Sequence, residues 1–167
     1  MAILEILQYP DPRLTLSAQR VEKIDAATRR LIDAMAATMY AAPGVGLAAS
    51  QVDVHQQIIV IDVSEDRSDL RVFINPEITR REGQTVNQEG CLSVPGIYEN
   101  VERAESVTVT ALDRNGARFT LNASGMLAAC IQHEMDHLRG TVFVELLSEL
   151  KQNRIRAKLK KRQRKAA

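Results

Sequence analysis

Tryptophan is absent and only 4% of the 167 residues are aromatic, which leaves little to stack on bases and argues against a single-stranded nucleic-acid surface. No apolar run approaches the roughly 18 residues needed to cross a bilayer. The first stretch, MAILEILQYPDPRL, has no basic leader and carries Glu5 inside its apolar part, so it is not expected to act as a secretion signal. Two cysteines, Cys91 and Cys130, are too few for a disulfide framework and are expected to be free thiols in a reducing cytoplasm. Repeats and low-complexity linkers are also missing, and the length suits one domain with a real core.

What is present is 45% hydrophobic and 26% charged residues, ordinary for a globular protein. The net charge of +1 hides an asymmetry. Residues 151–167 hold nine Lys/Arg and no acid, which leaves 13 basic against 21 acidic residues in 1–150. The expected organisation is a single body over 1–150, continued by a basic C-terminal helix or tail over 151–167. Such a tail suits an anionic partner, or is simply a solvated helix end.

Asp25 is placed to cap a helix through Ala42, with Leu31, Met35 and Met39 at helical spacing and Pro43-Gly44 as the stop. Gln56–Val63 reads as a buried strand, and LRVFINPEI as another that ends or bends near Pro76. Val107, Val109 and Ala111 alternate with threonines before Asn115-Gly116, a hairpin turn with a return strand over Arg118–Leu121. Ser124 is a cap for a helix over Gly125–Leu138, and a last helix starts near Ser148. Without regular β-α-β alternation, the fold class is α+β, with mostly antiparallel strands around a central helix.

That helix contains QHEMDHLRGTVF. H-E-x-x-H on a helix puts two imidazoles on one face, able to converge on one ion, with a glutamate beside them. Met126, Cys130, His133 and His137 form one largely apolar stripe, so the histidines are expected to point inward. A catalytic site of this kind has three protein ligands and an open position. Phe143 stands where the longer zinc-protease pattern has its last histidine. Glu145 and Glu149 are possible third ligands. Cys91, in NQEGCLSVPG, is the better one, since a thiolate with two imidazoles makes a sound tetrahedral site. Cys130 is expected to pack within the stripe. The loop PGVGLAASQ lacks a phosphate-loop ending; its small residues suit close approach of an extended peptide, and Gln51 could donate to an oxyanion.

GVGLAASQ, EGCLS and QHEMDH, in that order, resemble the peptide deformylase family of bacterial type, and the similarity runs from YPDPRL to the C-terminal helix. The resemblance implies a metal-dependent hydrolase that removes the formyl group from N-terminal formyl-methionine of new proteins, releasing formate. It makes Cys91, His133 and His137 the ligands and Glu134 the general acid/base, with Gln51 and the Leu92 N–H as the oxyanion hole. It implies iron(II), with nickel(II), cobalt(II) or zinc(II) as substitutes. It also implies the bacterial cytoplasm or a processed organellar form, and ribosome docking through the basic C-terminal helix. Val45, Gly46, Met126, Ala129 and Cys130 are expected to line the methionine pocket, which the small Ala129 leaves roomy. Glu89 and Arg103 are either an ion pair orienting a ligand histidine or an ordinary surface pair. Residues 97–103 carry no assignment. A metallopeptidase with a downstream third ligand, or an RNA-binding protein with a closed structural metal, are the competing readings.

Overall fold

The computed structural model describes residues 3–166; Met1, Ala2 and Ala167, at the ends of the expected body and tail, lie outside it. A first helix, α1 (Ala26–Ala41), begins where Asp25 accepts from the Thr28 N–H at 3.0 Å and ends just before Pro43-Gly44. Strands β1 (Gly46–Ala48), β2 (Ile58–Ile61), β3 (Arg71–Glu82), β4 (Thr85–Cys91), β5 (Val94–Arg103), β6 (Ser106–Leu112) and β7 (Arg118–Ser124) follow. Helix α2 (Gly125–Leu138) and helix α3 (Glu149–Ala166) complete the order, with short 3-10 turns at Pro12–Thr15, Ala49–Val52 and Phe143–Leu146.

All the strand pairs are antiparallel, in a five-stranded sheet ordered β1-β2-β3-β6-β7 and a separate β4-β5 hairpin. The α+β expectation therefore holds. Strand β2 shows why its sequence is a continuous apolar run rather than an alternation. Ile59 and Ile61 pack with Ala128, Ile131 and Leu138 of α2, while Ile58 and Val60 pack with Ile32, Met35 and Met39 of α1. The strand is buried on both faces, so the period-2 signal disappears. A third cluster joins Val94, Ile97 and Val101 of the hairpin to Phe143 and to Ile155 and Leu159 of α3. The last helix is thus held to the body by two apolar residues at i, i+4.

Three local details refine the sequence reading. Strand β3 bends near Pro76 but does not end there, and runs six residues further, to Glu82. A register shift between Ile74 and Glu77, with Asn75 at φ 51°, takes the proline out of the ladder. The Asn75 side chain pins that bulge by pairing with the Val21 backbone at 2.8 and 2.9 Å. Ser124 stands at the start of α2 with extended backbone, but its side chain makes no capping bond. It closes strand β7, and the chain turns into the helix at Gly125, with φ 62°. Finally, the segment around Cys91, which the sequence left without an assigned element, is the turn end of the β4-β5 hairpin. Gly96, at φ 73°, shifts the buried face between Val94 and Ile97; from there Ile97, Glu99, Val101 and Arg103 alternate inward, and the two charged residues among them hide the apolar alternation that would have marked a strand.

Candidate active site

Helix α2 lies against the sheet with Ala128, Ile131, Met135 and Leu138, and turns His133 and His137 towards the hairpin. The stripe drawn from the sequence is not buried throughout: Met126 is 58% exposed, at the mouth of a cleft, because the first turn of α2 projects past the sheet core. His133 and His137 stack edge to face, 5.1 Å between ring centres. The end of β4 brings Cys91 to them, with Sγ 3.4 Å from His137 Nε2. Donor atoms of these three residues all lie within 4.8 Å of one another, and among the described residues they form the one such group. Glu145 and Glu149 are exposed and take no part in it. Phe143 is buried with its ring 5.9 Å from that of His133, so it packs on that histidine at the position where the longer pattern has its last one.

Glu89, one strand residue pair before the turn, accepts from His133 Nδ1 at 2.8 Å. That hydrogen bond fixes the ring and leaves Nε2 as the donor atom for an ion. Arg103, at the far end of the partner strand β5, grips Glu89 with Nε and Nη2, both at 2.9 Å, and reaches Asp136 with Nη1 at 2.6 Å. The pair is therefore buried and oriented towards the histidine, not a surface ion pair. Burial works against the charge on Glu89, but Arg103 and His133 outweigh it and hold its carboxyl at about 2. Burial keeps His137 well below an ordinary imidazole, and His133 and Arg103 add to the effect. A neutral ring is the form that ligates.

Glu134 lies beside these residues, between His133 and His137 on α2. Its side chain is buried and Oε1 has no hydrogen-bond partner. Burial pushes its carboxyl up to about 7, with Glu89 and Asp136 helping and His133 and Arg103 opposing. Gly46 crosses so close that a Cβ there would sit 2.6 Å from Glu134 Oε2. The Gln51 carbonyl accepts from the Ala48 N–H at 2.9 Å, which aims its amide nitrogen at Ser93 Oγ, 3.0 Å away, and at Cys91 Sγ, 3.5 Å away. Ser93 and Asp136 escaped the sequence reading; Ser93 lies two residues beyond Cys91 in EGCLS, and Asp136 inside QHEMDH.

Val45, Gly46, Gln51, Cys91, Leu92, Met126, Ala129, Cys130, His133 and Glu134 all line one cleft of about 1700 Å³, and His137 stands behind it, 1% exposed. The donor set fits a divalent ion: one thiolate and two imidazoles, one of them already oriented by a carboxylate.

The family model for polypeptide deformylase matches residues 3–153. The chain belongs to the peptide deformylase family. The peptide deformylase of Neisseria meningitidis serogroup C is 60% identical, with 98% of each chain covered. In the crystal structure of a peptide deformylase from Legionella pneumophila the same fold recurs at a TM-score of 0.94 and 49% identity, covering 98% of this chain and 96% of that one. The Ehrlichia chaffeensis peptide deformylase, solved in complex with actinonin, gives a TM-score of 0.93 at 42% identity, covering 98% of this chain and 99% of that one. As a deformylase the chain is a hydrolase that removes N-formyl groups from nascent peptides, releasing formate.

Proposed function

We propose that Cys91, His133 and His137 hold one divalent ion, iron(II) in the cell, with nickel(II), cobalt(II) or zinc(II) able to replace it. An ion bound there would lower the pKa of a water molecule and polarise the formyl carbonyl. The buried, unpartnered Glu134 carboxylate beside the three donors carries this reading. With its carboxyl near 7, Glu134 can take a proton from water and return it to the leaving amine at neutral pH. The Gln51 amide, held by Ala48, and the backbone N–H of Leu92 donate to the oxyanion that develops on the formyl oxygen. β1 is an edge strand whose start lines the cleft, so the peptide lies extended along it with the first side chain among Val45, Met126, Ala129 and Cys130.

Formate release from a formyl-methionyl tripeptide by iron- or nickel-loaded protein tests these roles. Glu134→Gln should lower kcat by about 10²–10⁴ while the protein keeps its metal. Retained turnover, or loss of the metal itself, removes the proton-transfer role. Cys91→Ser that left metal binding intact would point back to a peptidase-like third ligand.

The C-terminal helix supplies the second part. Ile155 and Leu159 face the body, while Arg154, Lys158, Lys160, Lys161 and Arg164 are exposed. Their charge suits ribosomal RNA phosphates near the emerging chain, in the bacterial cytoplasm. No helix among the described residues is long and apolar enough to cross a membrane. Deleting α3 would also strip two core residues, so charge reversal at Lys158, Lys160 and Lys161 is the cleaner probe. Ribosome binding at low salt should weaken; affinity equal to that of the unaltered protein would dismiss the docking role.

A further inference from the structure

The three tyrosines have different settings. Tyr9 is buried and accepts from Arg156 Nε at 3.1 Å, and Tyr40 donates to Asp62 at 2.6 Å. Tyr98, on β5, is 62% exposed and lines the cleft. One side of its ring lies on Gly90, where an added Cβ would come 2.5 Å from Cε1 and 2.7 Å from Cδ1. The glycine is needed for that contact, since any side chain at position 90 would displace the ring. An aromatic ring backed by main chain and open on its other side has little rotamer freedom left to lose on binding.

Gly90 directly precedes Cys91, and neighbouring α-carbons are about 3.8 Å apart. An extended peptide advances about 3.3 Å per residue. Tyr98 shares the cleft with Val45 and Gly46 at the start of β1, so a chain whose formyl end is at the donor cluster has Tyr98 within reach of its second or third residue. The cleft, at about 1700 Å³, also exceeds the ~300–1000 Å³ typical of a small-ligand pocket, so it has room for more than one formyl-methionyl unit. We propose that Tyr98 is a specificity-determining residue for the downstream part of the substrate: its open face receives an apolar or aromatic side chain from the second or third residue of the nascent peptide. This rests on the deformylation reading of the cleft.

The rival explanation is purely local, with the ring steadying Gly90 and thereby Cys91. Formate release by the metal-loaded full chain separates the two. The substrates are formyl-Met-Ala-Ala, formyl-Met-Phe-Ala and formyl-Met-Ala-Phe. The wild type should favour at least one phenylalanine peptide in kcat/KM by about two- to tenfold, the size of one aromatic contact, with the gain in KM. Tyr98→Phe should keep that ratio, and Tyr98→Ala should bring it to about one. A ratio that survives Tyr98→Ala overturns the proposal, as does a wild type without preference. So does an equal loss of kcat on all three peptides, which is the signature of the steadying role. No formate from any peptide with the wild type would instead bring down the deformylation reading, and the proposal with it.

Discussion

Replacing Arg103 by methionine keeps most of its volume but removes three hydrogen bonds and a charge. Two of those bonds serve Glu89 and one serves Asp136, and the three side chains are 6, 8 and 13% exposed. Asp136 keeps Arg139 as a partner; Glu89 keeps only His133. Removing one member of a buried pair leaves an uncompensated charge, which costs about 3–5 kcal/mol, against about 0–1 for an exposed pair. For a protein of this size each kcal/mol moves Tm by roughly 2–4 °C, so the expected drop is about 6–20 °C. The measurement is thermal or urea unfolding of chelator-treated protein, so that altered metal affinity does not enter through linkage. Glu89→Leu with Arg103→Met should recover part of the loss, because neither charge is then buried alone. In metal-titration experiments Arg103→Met should also weaken binding by about 10–100-fold, since Glu89 no longer holds His133 in place. A loss below 1 kcal/mol, or a double variant equal to the sum of the single ones, would refute the buried-network account.

Other consequences are as direct. Gly46→Ala puts a methyl group 2.6 Å from Glu134 Oε2; kcat for formate release should fall by at least tenfold, up to the ~10²–10⁴ contribution of a general base, and a kcat within twofold of wild type would show that the carboxylate can move freely. Burial pushes the Cys130 thiol up to about 12, with Glu134 and Glu89 adding to the shift and Arg103 opposing it. Iodoacetamide at pH 8 should therefore alkylate chelator-treated protein at Cys91 and not at Cys130, as read by peptide mass; equal labelling of both would contradict that burial.

Chemistry spaced along a single element was legible in the sequence. His133 and His137 are one helical turn apart, so their shared face follows from 3.6 residues per turn and needs no tertiary information. The Asp25 cap was legible for the same reason, as was the existence of the β6-β7 hairpin, although its turn centres on Arg114-Asn115 with Gly116 at φ 85° instead of on Asn115-Gly116. Cys91 was ranked above Glu145 and Glu149 on donor chemistry, and the fold puts its sulfur 3.4 Å from His137. What could not be read was the setting of Glu89 and Arg103. They are 14 residues apart and meet only because β4 and β5 pair as they do, with Thr85 opposite Arg103 and Glu89 opposite Glu99. That hairpin had no readable apolar alternation, since Glu99 and Arg103 share the inward side of β5 with Ile97 and Val101.

The same distinction explains the false lead in QHEMDHLRGTVF. Gly140 completes the spacing of the longer zinc pattern, yet in this fold it serves no ligand. It takes φ 79° at the exit of α2, and a Cβ there would run into the backbone carbonyl of Thr15. The chain must turn sharply at that point to bring Val142, Phe143 and Val144 into the cluster that receives α3. Once turned, Phe143 arrives on the face of His133. A glycine three residues past a helical H-E-x-x-H is thus evidence for where the helix ends, while the identity of the third ligand is decided by whichever strand the remaining fold lays against the two histidines. Here that strand is β4, and it presents a cysteine.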